Sequence, residues 1–195
     1  QENDSLDWLL IYYMPYDNDL SVFGDEIIDE LLEGSIGIEN IGITIQGDFA
    51  DTNGHRRYFI LNGEIDTLSV ATEETNISVF NDYLMWTSTD YAYRKSAIFF
   101  LNHGADLSHI GIDEYPNRQY YDITEVAASI EEYNAMNQKK TSLFFLQQCS
   151  RSSLEILYEF RDCADITLAS QLELGAPNAY YTDMLQTLHE SPYIN

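Results

Sequence analysis

The chain reads as one α/β domain, a mostly parallel central sheet flanked by helices on both faces. Three observations predict it. Apolar runs such as LDWLLIYYM at 6–14, SAIFFL at 96–101 and SLFFL at 142–146 lack the alternation of a sheet with one wet face, so they belong to strands buried on both sides. Stretches with apolar residues at helical spacing stand between such strands, the pattern of strand–helix alternation. The 195 residues, 45% of them hydrophobic, suffice for one core and are short for two, at roughly 100–200 residues per domain.

The elements follow in order. The strand at 6–14 ends in the turn PYDND. Leu20, Phe23, Ile27, Ile28, Leu31 and Leu32 then keep helical spacing, and Gly34 supplies a stop. NIGITIQGDF at 40–49 and RRYFIL at 56–61 read as strands joined by the polar ADTNGH, as a hairpin or a neighbouring pair. Ile77, Phe80, Leu84 and Met85 place a helix over 76–87, which leads into SAIFFLNHG with His103 at the strand's end. Residues 105–121, rich in Asp, Gly, Pro, Asn and Tyr, read as an irregular loop long enough to be functional. Ile123, Val126, Ala127 and Ile130 share one face of a helix over 122–136. The strand at 142–148 runs straight into Cys149, and Leu154, Ile156, Leu157, Tyr158 and Phe160 carry a helix that ends near 162. Cys149 therefore falls at a strand-to-helix junction. A short strand at 164–170, a loop holding Gly175 and Pro177, and a helix over 181–189 complete the chain.

Composition narrows the partners. With 9 Lys and Arg against 33 Asp and Glu, the formal charge is −24, which argues against nucleic acid, since phosphate binding needs concentrated positive charge. The acidic clusters at 17–20 and 25–30 lack the fixed spacing of a calcium loop, so no metal ligand is assigned. Two cysteines are too few for a disulfide framework. No stretch approaches the roughly 20 apolar residues of a membrane-spanning helix. The polar opening QENDSLDW starts without Met, as a trimmed chain would, and export to the periplasm, cell surface or medium of a bacterium is the expectation.

Two residues stand out for chemistry. His103 and Cys149 each follow an apolar strand at once, so a parallel sheet brings both to the edge where α/β folds gather their sites. A cysteine at a helix start meets unpaired N–H groups and the helix dipole, which favour a thiolate, and Arg151 adds positive charge nearby. Histidine passes protons at neutral pH, and Gly104 lets a backbone N–H approach a developing oxyanion, with the N–H of Cys149 completing the hole. Cys163, with no strand feeding it, reads as structural. His55, His109 and His189 receive no role.

The segments LDWLLIYYMPYDNDL, SAIFFLNHGAD and SLFFLQQCSRSSLEILYEFRDCADITLAS resemble the opening strand, histidine motif and cysteine segment of the clostripain family of cysteine peptidases (family C11, clan CD). That resemblance implies a caspase-like three-layer sandwich, a Cys149–His103 dyad and peptide hydrolysis through an acyl-enzyme. It also implies a peptide or protein substrate. Members are often longer than this chain and activated by internal cleavage, and a calcium requirement is known among them. One departure bears on specificity. The family usually has an Asp two residues before its cysteine to hold a basic P1 side chain, and Gln147 stands there instead. A second acidic position corresponds to the stretch 174–181, which offers Asn178. Each lost charge-assisted hydrogen bond is worth about 1.5–3 kcal/mol to a guanidinium, so the expectation is a P1 preference that is not strictly arginine. The alternatives are a catalytically weak relative that binds peptides or proteins, and an α/β domain of other function in which Cys149 and His103 lie far apart.

Overall fold

In chain order the elements are β1 (Leu6–Tyr16), a 3-10 turn (Asp19–Phe23), α1 (Gly24–Gly34), β2 (Ile41–Phe49), β3 (Arg56–Leu61), β4 (Glu64–Ser69), α2 (Ile77–Asp90) and β5 (Tyr93–Leu101). There follow β6 (His109–Asp113), β7 (Gln119–Asp122), α3 (Ile123–Asn137), β8 (Thr141–Gln147), α4 (Leu154–Glu159), β9 (Ala164–Ala169) and α5 (Tyr181–Glu190). The computed structural model describes residues 5–50, 55–70, 76–114 and 118–192.

β1 explains the layering. Side chains alternate across a strand, so Leu9, Ile11 and Tyr13 enter one core while Leu10, Tyr12 and Met14 enter the other. α2, α3 and α4 cover the first face through residues such as Phe80, Tyr83, Val126, Ile130 and Ile156. α1 and α5 cover the second through Ile27, Leu31, Tyr181 and Leu185. The sheet runs β4-β3-β2-β1-β5-β8-β9. β2, β1, β5, β8 and β9 are parallel, and β3 and β4 add antiparallel strands at one edge. This three-layer α/β sandwich is the predicted fold.

Local sequence sets the helix ends. Asn76, Asp122 and Ser153 cap α2, α3 and α4 by accepting from backbone N–H groups of the first turn, which have no partner within the helix. Asp25 and Glu26 lie in the first turn of α1, where a carboxylate suits the helix dipole.

Two departures from the sequence reading matter. β4 is absent from it, although Asn62–Gly63, with φ of 52° and 74°, makes the two-residue turn between β3 and β4. The segment read as an irregular loop contains the antiparallel pair β6–β7, with residues 115–117 outside the described part. The strands on either side of ADTNGH pair antiparallel, as the expected hairpin requires, and residues 51–54 lie outside the described part.

Candidate active site

Three segments leave the carboxyl ends of neighbouring parallel strands together. Residues 17–19 follow β1, residues 102–104 follow β5, and Gln148–Cys149 follow β8. From β1 the chain goes first to β2 on one side and later to β5 on the other, so the sheet order reverses there and opens a crevice.

His103 is half-buried, and its Nε2 lies 2.6 Å from Oδ1 of Asp19. Its backbone is set by Asn102, a buried side chain that joins several segments. Asn102 Oδ1 accepts from the N–H of His103 at 2.6 Å and of Ile112 at 3.1 Å, while Nδ2 donates to the carbonyls of Pro15 and Ile112. Asn18 donates to Asn102 Oδ1 at 3.3 Å. The ends of β1, β5 and β6 are thereby tied together.

Cys149 is half-buried, and its sulfur meets the backbone of Leu174. Sγ donates to the Leu174 carbonyl at 3.7 Å, and the Leu174 N–H donates to Sγ at 3.4 Å. The expected helix start is not here. Ser150 turns the chain with φ of 56°, and α4 begins only at Leu154 behind its cap Ser153, because residues 150 and 152 bond back to the 170–172 backbone. A helix dipole, whose effect falls off within one turn, is therefore not what Cys149 draws on.

Arg151 stands close enough to Cys149 for their charges to interact, as expected, and it also holds backbone. It is buried, and its guanidinium donates to the carbonyls of Cys149, Ala105, Asp106 and His109. It serves as a clamp between the cysteine turn and the segment after His103. Gly104 sits inside this clamp. A Cβ there would stand 2.2 Å from the Cys149 carbonyl oxygen, so glycine alone permits the approach of the two turns.

A cavity of about 230 Å³ lies at this edge, and His103 and Cys149 both line it. Tyr16, Leu20, Phe23, Leu174, Gly175 and Ala176 provide further wall, with Asn102, Gln147 and Gln148 as polar groups. Among the described residues, no carboxylate belongs to that lining. Gln147 is buried between two phenols: Tyr180 donates to its Oε1 at 2.5 Å, and its Nε2 donates to Tyr181 at 2.9 Å. Burial pushes the Tyr181 phenol up to about 12, so this part of the wall stays neutral. Asn178 is not among the lining residues, and its Nδ2 is buried without a hydrogen-bond partner. The 174–176 stretch takes the place expected for it.

The remaining candidates fall outside the cavity. Cys163 is fully buried, donates to the Ala127 carbonyl at 3.6 Å, and is pushed up to about 12 by burial and by Glu131, Asp162 and Glu159. His109 pairs with Asp106, and His189 with Asn40. His55 is buried 3.3 Å from Asp48, in a setting that the surrounding sequence does not disclose. Asp17, Asp48 and Asp113 place carboxylate oxygens within 4.8 Å of one another. Burial and the charges of Asp48 and Glu114 hold the Asp17 carboxyl above its usual range. Such an all-oxygen set fits calcium. A bound ion would neutralise these carboxylates and brace the ends of β1, β2 and β6.

The sequence reading missed Asp19, Asn18 and Asn102. The signal was present, because the rule that located His103 and Cys149 at strand ends applies equally to the DND that follows β1.

Comparison with solved structures places the fold among proteases. A secreted C11 cysteine protease from Bacteroides thetaiotaomicron, in complex with an irreversible peptide inhibitor, superposes with a TM-score of 0.78 at 18% identity, over 94% of this chain and 54% of that one. The structure of that organism's "iotapain" gives 0.73 at 18%, over 94% and 57%. An inactive zymogen C11 protease from Parabacteroides distasonis gives 0.67 at 18%, over 95% and 54%. The chain thus spans about half the length of these relatives. No curated protein matches it. The sequence model of the clostripain family matches residues 12–194, so the chain belongs to the clostripain family, peptidase family C11.

Proposed function

We propose that this chain carries the active site of an exported cysteine endopeptidase, with Cys149 as nucleophile and His103 as acid–base partner. The observation that carries the reading is that both line one cavity at the carboxyl edge of a clostripain-family sheet. His103 takes the Cys149 thiol proton as the sulfur forms a bond to the substrate carbonyl carbon, and the resulting oxyanion is held by the N–H groups of Gly104 and Cys149. His103 delivers a proton to the leaving amine as the C–N bond breaks, leaving a thioester. His103 then takes a proton from water, whose oxygen displaces the sulfur and releases the acid. Export accords with the secreted relative.

The neutral wall around Gln147 supports a P1 residue other than arginine. A buried guanidinium would meet an amide already engaged by Tyr180 and Tyr181 and no carboxylate. A P1-diverse fluorogenic peptide library, run on wild type and Cys149→Ala, tests the whole reading. Turnover of neutral P1 peptides by wild type and none by Cys149→Ala is expected. Iodoacetamide at pH 8 should label Cys149 and spare Cys163, whose thiol stays protonated there. Strict arginine cleavage would overturn the P1 assignment, and unchanged hydrolysis by Cys149→Ala would overturn the nucleophile.

A second reading, a peptide-binding relative without turnover, is favoured by the Leu174 backbone resting on the sulfur. Binding of library peptides with no cleavage after any P1 residue would select it.

A further inference from the structure

We infer that Asp19 is a positioning residue for His103 and completes a Cys149–His103–Asp19 arrangement; the inference rests on the dyad proposed above. Asp19 Oδ1 stands 2.6 Å from His103 Nε2, although 84 residues separate the two in sequence. A carboxylate can only accept, so Nε2 carries the proton and the other ring nitrogen, Nδ1, is left as the base. The contact also fixes the plane of the imidazole and stabilises the imidazolium formed during proton transfer, as a carboxylate does beside a catalytic histidine.

The fold builds this contact deliberately into two strand ends. β1 and β5 are adjacent and parallel, with Tyr13 opposite Phe100, so residues 17–19 and 102–104 emerge side by side. Asn18 then locks the turn that bears Asp19. Its Oδ1 accepts from the Leu20 N–H at 2.9 Å, and its Nδ2 donates to the Ile112 carbonyl at 2.8 Å and to Asn102 Oδ1 at 3.3 Å. Asn102 Oδ1 is the same atom that holds the His103 backbone. One step earlier, the Asp17 carbonyl accepts from the Glu114 N–H at 3.1 Å. Backbone on both sides of the Asp19–His103 pair is therefore held by buried amides, and the carboxylate reaches the ring from a turn that has little freedom.

Two other roles for Asp19 predict different results. An exposed ion pair with no function contributes little, and the Asp19 side chain is 83% exposed. A carboxylate at the mouth of a cleft could instead recognise a basic substrate side chain, which would appear in KM. Positioning of His103 appears in kcat and only while His103 is present.

The test uses the best peptide from the P1 library with wild type, Cys149→Ala, Asp19→Asn, Asp19→Ala, Asp19→Glu, His103→Ala and the double variant Asp19→Asn/His103→Ala. Asp19→Asn and Asp19→Ala should lower kcat about 10- to 100-fold with KM within about twofold and Tm within about 2 °C of wild type. Asp19→Glu should recover part of the loss, and the double variant should match His103→Ala, as expected for residues acting as one unit. Wild-type kcat in Asp19→Asn, a loss carried by KM, or a loss that multiplies with that of His103→Ala overturns the Asp19 role while leaving the dyad intact. Turnover by Cys149→Ala, or none by wild type on any peptide, overturns the dyad, and the Asp19 role falls with it.

Discussion

At the scale of single residues, Gln147 bears on the proposed P1 preference. Its amide is held at both ends, by the Tyr180 hydroxyl and by the Tyr181 oxygen. A carboxylate in the same place would keep the bond from Tyr180 and could accept one from Tyr181, but it would carry a buried charge without a cation. Gln147→Glu is therefore expected to lower Tm at pH 8 and less at pH 5. A buried carboxyl has a raised pKa in the fold, so its destabilisation grows as pH climbs from the unfolded value of about 4.3 towards that raised value and levels off above it. In the P1 library the same variant should shift cleavage towards arginine, whose guanidinium pairs with the new charge. Melting curves at the two pH values and the library profile check both statements.

At the scale of elements, the site is an assembly of strand-end turns held by side chains that bond to backbone. Asn102 ties the ends of β1, β5 and β6, and Arg151 ties the turn after β8 to the turn after β5. Hydrogen bonds from a charged donor contribute more than neutral ones, and four carbonyls depend on this guanidinium. Arg151→Met keeps much of the side-chain volume and removes every one of those bonds. It should destabilise the fold by about 2–4 kcal/mol in urea denaturation. Loss of activity should exceed what the unfolded fraction explains, because Gly104 and Cys149 lose their common clamp. Full activity in a folded Arg151→Met protein would show that the clamp serves stability alone.

For the molecule as a whole, the core is unusually rich in tyrosine, and this links its stability to alkaline pH. Burial pushes the phenols of Tyr12, Tyr13, Tyr16, Tyr83, Tyr121 and Tyr133 well above the ordinary tyrosine value. The fold thus retains protons that the unfolded chain loses above about pH 10, so stability falls as pH rises through that range. Cys163, pushed up to about 12, acts in the same direction from about pH 9 upward. Phenolate absorbance at alkaline pH should lag behind that of free tyrosine and then rise together with the loss of far-ultraviolet circular dichroism. Gradual titration of all 15 tyrosines with the fold intact would contradict the buried-phenol account.

Sequence by itself determined the layered α/β class and the two strand ends that bear His103 and Cys149. Both rest on short-range signals, since an unbroken apolar run needs burial on two faces and a parallel strand presents its last residue at one edge. It also put Cys149, and not Cys163, directly after an apolar strand. The β3–β4 hairpin was legible in Asn62–Gly63 and passed unread, because the strand after it is largely exposed and carries no strong apolar face. Tertiary structure alone decided the rest: Asp19 on His103, Arg151 on the 105–109 carbonyls, Gln147 between two tyrosines, and Leu174 rather than Asn178 beside the cysteine. Each of these joins segments distant in sequence, and each depends on strand order, register and loop path. Those are set by how the whole core packs, so no local window of sequence contains them.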